Sequence, residues 1–198
     1  MLCRNLIVAV CLTLLVIGCD QRSAYDRIVA RELATGARFD TLFLSYALGM
    51  SKQAFYDSSW ALNRRGLVMQ GPQNQNVQYK LPEALPYPAT MLFYPDFSAD
   101  RIYQMRVRFG YDDWAPWAKR LSSDSLQLDV LALLERWYGK GFFEHGSTVT
   151  AFGPQRQFVK VDGNRRILVM KYSDTEVLAM ITDLLAEKAM IEERDADR

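Results

Sequence analysis

Histidine occurs once in this chain, at His145, so any Ser-His-Asp arrangement must run through that residue. No Gly-x-Ser-x-Gly elbow accompanies it, and the setting Phe143-Glu144-His145-Gly146 reads as a glycine-containing turn. A lone histidine in such a turn is ordinarily solvated. The carboxylates offer a second chemistry. Asp112 and Asp113 stand beside Trp114 and Trp117, and glycoside cleavage needs two carboxyls across a cleft with aromatic walls. Successive strand residues point to opposite faces, however, so two adjacent aspartates cannot both line one cleft. The pair reads better as the end of a strand and the start of a loop. A hydrolase working through Glu144, Asp112 or His145 would require those side chains to converge.

The aromatic segment Tyr111-Asp-Asp-Trp114-Ala-Pro-Trp117 carries two tryptophans three apart around a proline. Such a pair either plugs the edge of a core or lies open as a flat amphipathic patch. In the second case it suits a protein or glycan partner, with Arg106 or Arg108 near enough for cation–π contact. Trp114, Trp117, Arg106 and Arg108 are therefore the candidate binding residues.

The N-terminus has the three parts of an export signal. Arg4 precedes an apolar run from Leu6 to Ile17, interrupted by Thr13, and the run ends at the small residue Gly18. Twelve helical residues span about 18 Å against roughly 30 Å of hydrocarbon, too short for a lasting transmembrane anchor. Val16-Ile17-Gly18-Cys19 resembles the lipobox of bacterial lipoproteins. That resemblance implies cleavage before Cys19, a diacylglyceryl thioether on its sulfur, and acylation of the new amino group. Each buried methylene would add about 0.8 kcal/mol of membrane affinity. Asp20 resembles the inner-membrane retention signal of enteric lipoproteins and accompanies other sorting elsewhere, so both membranes stay open. An envelope location outside the cytoplasm is expected either way.

Cleavage there discards Cys3 and Cys11 and leaves Cys19 as the last cysteine, so the fold is expected to stand without disulfides. With one histidine and no free thiol, the nitrogen and sulfur ligands of a zinc site are lacking. No calcium loop of alternating Asp/Asn exists, and Gly139-Lys140-Gly141 is too short for a phosphate loop. No cofactor is expected. Removing Arg4 from the 24 basic residues balances the 23 acidic ones, and a neutral body is a poor partner for nucleic acid. Arg101, Arg106 and Arg108 share one strand-like segment and read as solvated surface.

Five segments are expected: a signal peptide at 1–18, a tether and short helix at 19–38, α+β units at 39–118 and 119–186, and an acidic, frayed tail at 187–198. The short helix spans Tyr25–Ala34, with Ile28, Val29 and Leu33 on one face and Gly36 as its stop. Phe39–Leu48 is apolar and ambiguous between helix and strand. Ser51 is placed to cap a helix whose inner face is Ala54, Phe55, Ser58, Ala61 and Leu62, with Gly66 past its end. Strands follow at Val77–Leu81, Thr90–Tyr94 and Ile102–Phe109, the last two joined by a loop from Pro95 to Asp100.

The second unit repeats that order. A helix opens in Ser122–Ser125, with Asp124 and Gln127 spaced as a capping box and Leu126, Val130, Leu133, Leu134 and Trp137 inside. Strands are expected at Gln157–Val161, Arg165–Tyr172 and Glu176–Leu184, with Leu185–Glu193 continuing as helix. Asp162-Gly163-Asn164 is the clearest hairpin signal, and Ser173-Asp-Thr175 a second turn. The helix faces superimpose at a shift of 72 positions, with negligible residue identity between the halves. The fold class is thus α+β, two tandem helix-plus-antiparallel-sheet units (α-βββ) packed as one compact domain.

Leu48-Gly49-Met50-Ser51-Lys52-Gln53-Ala54-Phe55 resembles the helix start of small outer-membrane assembly lipoproteins. Ala61–Gly66 does not continue it with the Leu-Gly-x-Pro of that family. Tandem helix-plus-sheet units are similar to the β-lactamase inhibitor protein. These resemblances imply a fold used for protein contact without catalytic residues. The expected role is a membrane-anchored envelope lipoprotein with a protein-binding or structural domain. The alternatives are a small-ligand or glycan binder with an aromatic cleft, and a carboxylate-dependent hydrolase.

Overall fold

A computed structural model describes residues 23–81, 83–150 and 153–196, with only the backbone described for 147–150 and 153–155. The signal segment, the lipobox, Cys19 and the first residues of the tether lie outside them. Eight strands form one antiparallel sheet in the order β1-β2-β3-β4-β8-β7-β6-β5. They are β1 (Met69–Gln70), β2 (Val77–Leu81), β3 (Ala89–Ser98), β4 (Arg101–Tyr111), β5 (Phe143–Thr150), β6 (Gly153–Asp162), β7 (Arg165–Lys171) and β8 (Glu176–Asp183). Four α-helices accompany them: α1 (Ala24–Ala34), α2 (Lys52–Arg64), α3 (Ser123–Tyr138) and α4 (Leu184–Ala196).

The α+β class holds, but the strands do not divide into separate three-stranded sheets. β4 pairs with β8 from Gln104↔Thr182 to Gly110↔Glu176, joining β1–β4 to β5–β8 in one surface. The main core lies on one face of this sheet. Phe55 and Leu62 of α2 and Leu126, Val130, Leu133 and Leu134 of α3 pack there against Met91, Phe93, Met105 and Ile167. Alternation sends the neighbouring strand residues to the other face. There Val159, Val161 and Leu168 meet Ile28, Val29 and Leu33 of α1, with Leu184 at the start of α4.

Local chemistry explains most element ends. Ser23 and Asp26 form a reciprocal capping box at the start of α1. Ser51 accepts from the Ala54 N–H, and Gly66 takes the left-handed conformation beyond α2. The Asp124–Gln127 capping box does not form. Asp124 reaches Lys171 on β7 at 2.7 Å, while Gln127 is buried and donates to the Arg156 carbonyl. Ala61 faces solvent rather than the core, while Trp137 is 37 % exposed at the core's margin, its ring 6.2 Å from that of Phe43. Ser59 stands inward instead, bonded to the Tyr46 hydroxyl at 2.9 Å.

Phe39–Leu48 is neither helix nor strand. It is a turn closed by a Thr41↔Ala47 bridge, and it is apolar because Leu42, Phe43, Tyr46 and Leu48 are all buried in the main core. The expected loop at Pro95–Asp100 is mostly strand. β3 runs through Pro95, which loses no ladder bond because β2 covers β3 only as far as Phe93. The turn shrinks to Ala99-Asp100, both at positive φ, as a two-residue hairpin requires. Residues 143–150, expected to begin as a turn, form edge strand β5, with a register shift between Glu144 and Ser147 that holds His145 and Gly146. The C-terminus is helical to Ala196, where the sequence placed a boundary at 187.

The β6–β7 turn does appear where expected, and it holds the chain ahead of α2 in place. Asn164, 1 % exposed, accepts from the Phe39 N–H at 2.7 Å and donates to Asp40 at 2.9 Å. Gly163 has positive φ, and a Cβ there would lie 2.2 Å from the Ala37 carbonyl oxygen. Around the turn, Lys160 and Arg165 pair with Asp162, and Arg38 pairs with Asp40 and Asp183. Substituting Asn164→Ala would strand a backbone N–H without a partner. A loss of about 2–3 kcal/mol is expected, read as a lower urea midpoint at unchanged slope.

Candidate functional site

Trp114 and Trp117 follow β4 in an open turn and do not plug the core. Trp117 is 85 % exposed and Trp114 38 %. Trp114 shares a shallow depression of about 410 Å³ with Arg108, Leu92, Asp112 and Glu176, on the sheet face opposite the main core. Arg108 is taken up there by two other partners, Glu176 at 3.4 Å and the Tyr172 ring at 5.4 Å. Arg106, exposed on the same face, stands one pair further along β4 beside Tyr94 and Met180. The structure thus brings Trp114 to Arg108 and leaves Trp117 and Arg106 outside the depression.

Asp112 is hydrogen-bonded to Thr90 and to Lys80, the latter at 2.9 Å. Partial burial would raise its pKa, but the Thr90 hydroxyl and the Lys80 ammonium outweigh this and hold it below the ordinary 3.8. Asp112 therefore serves as an ionised partner across β2, β3 and β4. Glu144 is bound by Arg156 through two hydrogen bonds of 3.0 and 2.7 Å, which hold its pKa down. His145 stacks on Tyr25 of α1 at 4.4 Å. Four strand steps separate β4 from β5, roughly 19 Å at ordinary strand spacing. Asp112 consequently does not meet Glu144 or His145, and no hydrolytic set assembles from the three. Among the described residues, no group of three His, Cys, Asp or Glu side chains is placed to hold a metal ion.

A more apolar groove lies elsewhere, between α2 and the short edge strand β1. It encloses about 270 Å³. Its floor is Phe55, 1 % exposed, whose ring packs against Tyr46 at 5.1 Å and Tyr94 at 5.8 Å. Tyr56 and Trp60 stand four residues apart on α2 and form one wall, and Met69 of β1 lies across from them. Trp60 is 67 % exposed and Met69 49 %, so both leave apolar surface open at the groove. The Tyr56 and Tyr94 hydroxyls are bonded at 2.8 Å, and that bond, with burial, pushes Tyr94 up to about 12. Asn63, Gln70, Asn74 and Asn76 supply a polar rim.

β1 pairs with only Val77 and Gln78, so β2 from Tyr79 onward has an open side. The sequence reading did not single out this groove. Its one legible signal was the pair Tyr56 and Trp60 on the helix flank beside the inner face. The Met69 wall depends on a two-residue strand that carries no pattern.

No protein family, characterised protein or solved structure matches this chain. The described residues contain no helix long and apolar enough to cross a membrane.

The Asp112 ion pair sets a pH dependence. A depressed carboxylate contributes stability that is present above its unfolded pKa and lost as pH falls through the folded value. Replacing Lys80→Met should lower stability by less than about 1 kcal/mol at neutral pH, as the pair is partly exposed. The difference from wild type should close as pH drops below 3.8, measured by urea titration at each pH.

Proposed function

We propose that the chain is a bacterial envelope lipoprotein, anchored through acyl chains on Cys19, whose domain binds a protein partner without catalysing a reaction. The address rests on the lipobox after a short apolar run. The observation that carries the binding role is the groove of Tyr56, Trp60 and Met69 at the open edge of the sheet. Exposed aromatics around a small apolar cavity, ringed by amides, have the composition of an interaction hot spot. An adjoining strand edge can accept an extended segment of a partner through backbone hydrogen bonds.

We read the two halves, each a helix followed by strands, as tandem units whose last strands meet at the β4–β8 seam. A second reading, a small-ligand or glycan binder, is favoured by the placing of Trp114 beside Arg108 in one depression. Glu176 and Tyr172 already occupy that arginine, which makes the depression the weaker of the two sites.

The test uses the membrane-anchored protein in intact envelopes. Cys19→Ser should release it to the soluble fraction. Crosslinking of the anchored form should capture a reproducible partner, and Trp60→Ala should abolish capture while shifting stability by less than about 0.5 kcal/mol. Capture that survives Trp60→Ala, or no reproducible partner, would contradict the reading.

A further inference from the structure

We propose that the start of α1 and the His145 bulge of β5 form the membrane-facing surface of the domain, seated on phospholipid headgroups with no stalk between. This rests on the lipid anchor at Cys19 proposed above. The length of chain between that cysteine and the first described residue limits how far the domain can stand from the lipid. Only four peptide units separate Cys19 from Ser23, the cap of α1, so their Cα atoms can lie at most about 14 Å apart. The headgroup layer alone is about 5–7 Å thick on each side of a bilayer.

A short link positions a domain only if the element it joins is itself fixed, and α1 is fixed along its length. Tyr25 stacks on His145 at 4.4 Å and accepts a hydrogen bond from Arg166 at 3.2 Å. Ile28, Val29 and Leu33 pack on Val159 and Val161 of β6. Glu32, in the last turn, accepts from the Gly163 N–H at 3.3 Å. The helix therefore lies along β6 with its end at the β6–β7 turn and its start directed away from that turn. An eleven-residue helix is about 16 Å long, so its start, next to the tether, is the end held within reach of the lipid.

The surface around that start is of mixed charge and suits zwitterionic headgroups. Asp26 and Arg27 are exposed on α1, while the exposed Glu144–Arg156 ion pair lies on the other face of the adjoining strands. Such a surface needs no anionic lipid, in keeping with the neutral balance of the mature chain.

The experiment uses the full mature, lipidated protein in phosphatidylcholine vesicles that carry a nickel-chelating headgroup lipid as a paramagnetic probe. Cys19 is consumed as a thioether, so a nitroxide can be placed singly through Ala24→Cys or Arg27→Cys. Both positions are exposed, and either variant can stand in for the other. Strong relaxation of these labels by the headgroup nickel is expected. It should be lost when a Gly/Ser insert of about twelve residues, averaging roughly 20 Å end to end, is placed between Arg22 and Ser23. Mass spectrometry of the same preparation separates the two claims. Lipid present with weak relaxation, unchanged by the insert, overturns the seating alone. An unmodified Cys19 overturns the anchor and the seating together.

Discussion

The architecture depends on a partly buried, charge-balanced clamp at the β6–β7 turn. Arg38, Lys160 and Arg165 face Asp40, Asp162 and Asp183 there, with Asn164 between them. Isolated buried charges would be costly, and three cations against three carboxylates remove most of that cost. Arg165 is further held over the rings of Tyr138 and Phe39, at 4.6 and 5.5 Å, and donates to the Thr41 carbonyl. One turn thus fixes the chain ahead of α2, the end of α3 and two strands. Asp183 also caps α4, accepting from the Leu185 N–H at 3.0 Å, so the C-terminal helix leaves from the same point. Glycine at 163 is the steric condition for all of this, because the backbone of Ala37 occupies the space of a side chain.

The clamp makes α1 part of the folded body and gives the sheet two unequal cores. The large one lies under α2 and α3, the small one under α1. Arg166 ties α1 to α4 across the small core by bonding Tyr25 and Glu187. Six strand steps separate β6 from β1, roughly 29 Å, so the Trp60 groove lies across the sheet from α1. In the proposed arrangement the lipid end and the partner end of the domain are different edges of one rigid surface.

Much of the fold was legible from residues whose local chemistry acts alone. Ser51, Gly66 and the Asp162-Gly163-Asn164 turn marked their positions correctly, and Val77–Leu81 matched its strand. The misses share a cause: tertiary context overrode a local signal. Ala99 adopts a left-handed conformation that alanine disfavours, so the β3–β4 connection was read as a loop from Pro95 to Asp100 rather than as the two-residue turn at its end. Pro95 stays in a strand because no neighbour needs its missing N–H. β5 was hidden by its bulge, where His145 and Gly146 look like a turn. Phe39–Leu48 lacked a period because burial from several directions imposes none. The tryptophan pair at 114 and 117 drew attention by composition, whereas the groove at Trp60 and Met69 arises from residues nine apart that only the fold brings face to face.

The most direct measurement is amide hydrogen exchange on the lipidated protein in vesicles. An isolated helix of eleven residues is marginal in water, so protection of α1 must come from docking. The amides of Ile28–Leu33 and Phe39 are expected to exchange as slowly as those of β6 and β7, opening only with the sheet. Exchange of α1 at the rate of a free peptide, with β6 and β7 still protected, would contradict that expectation.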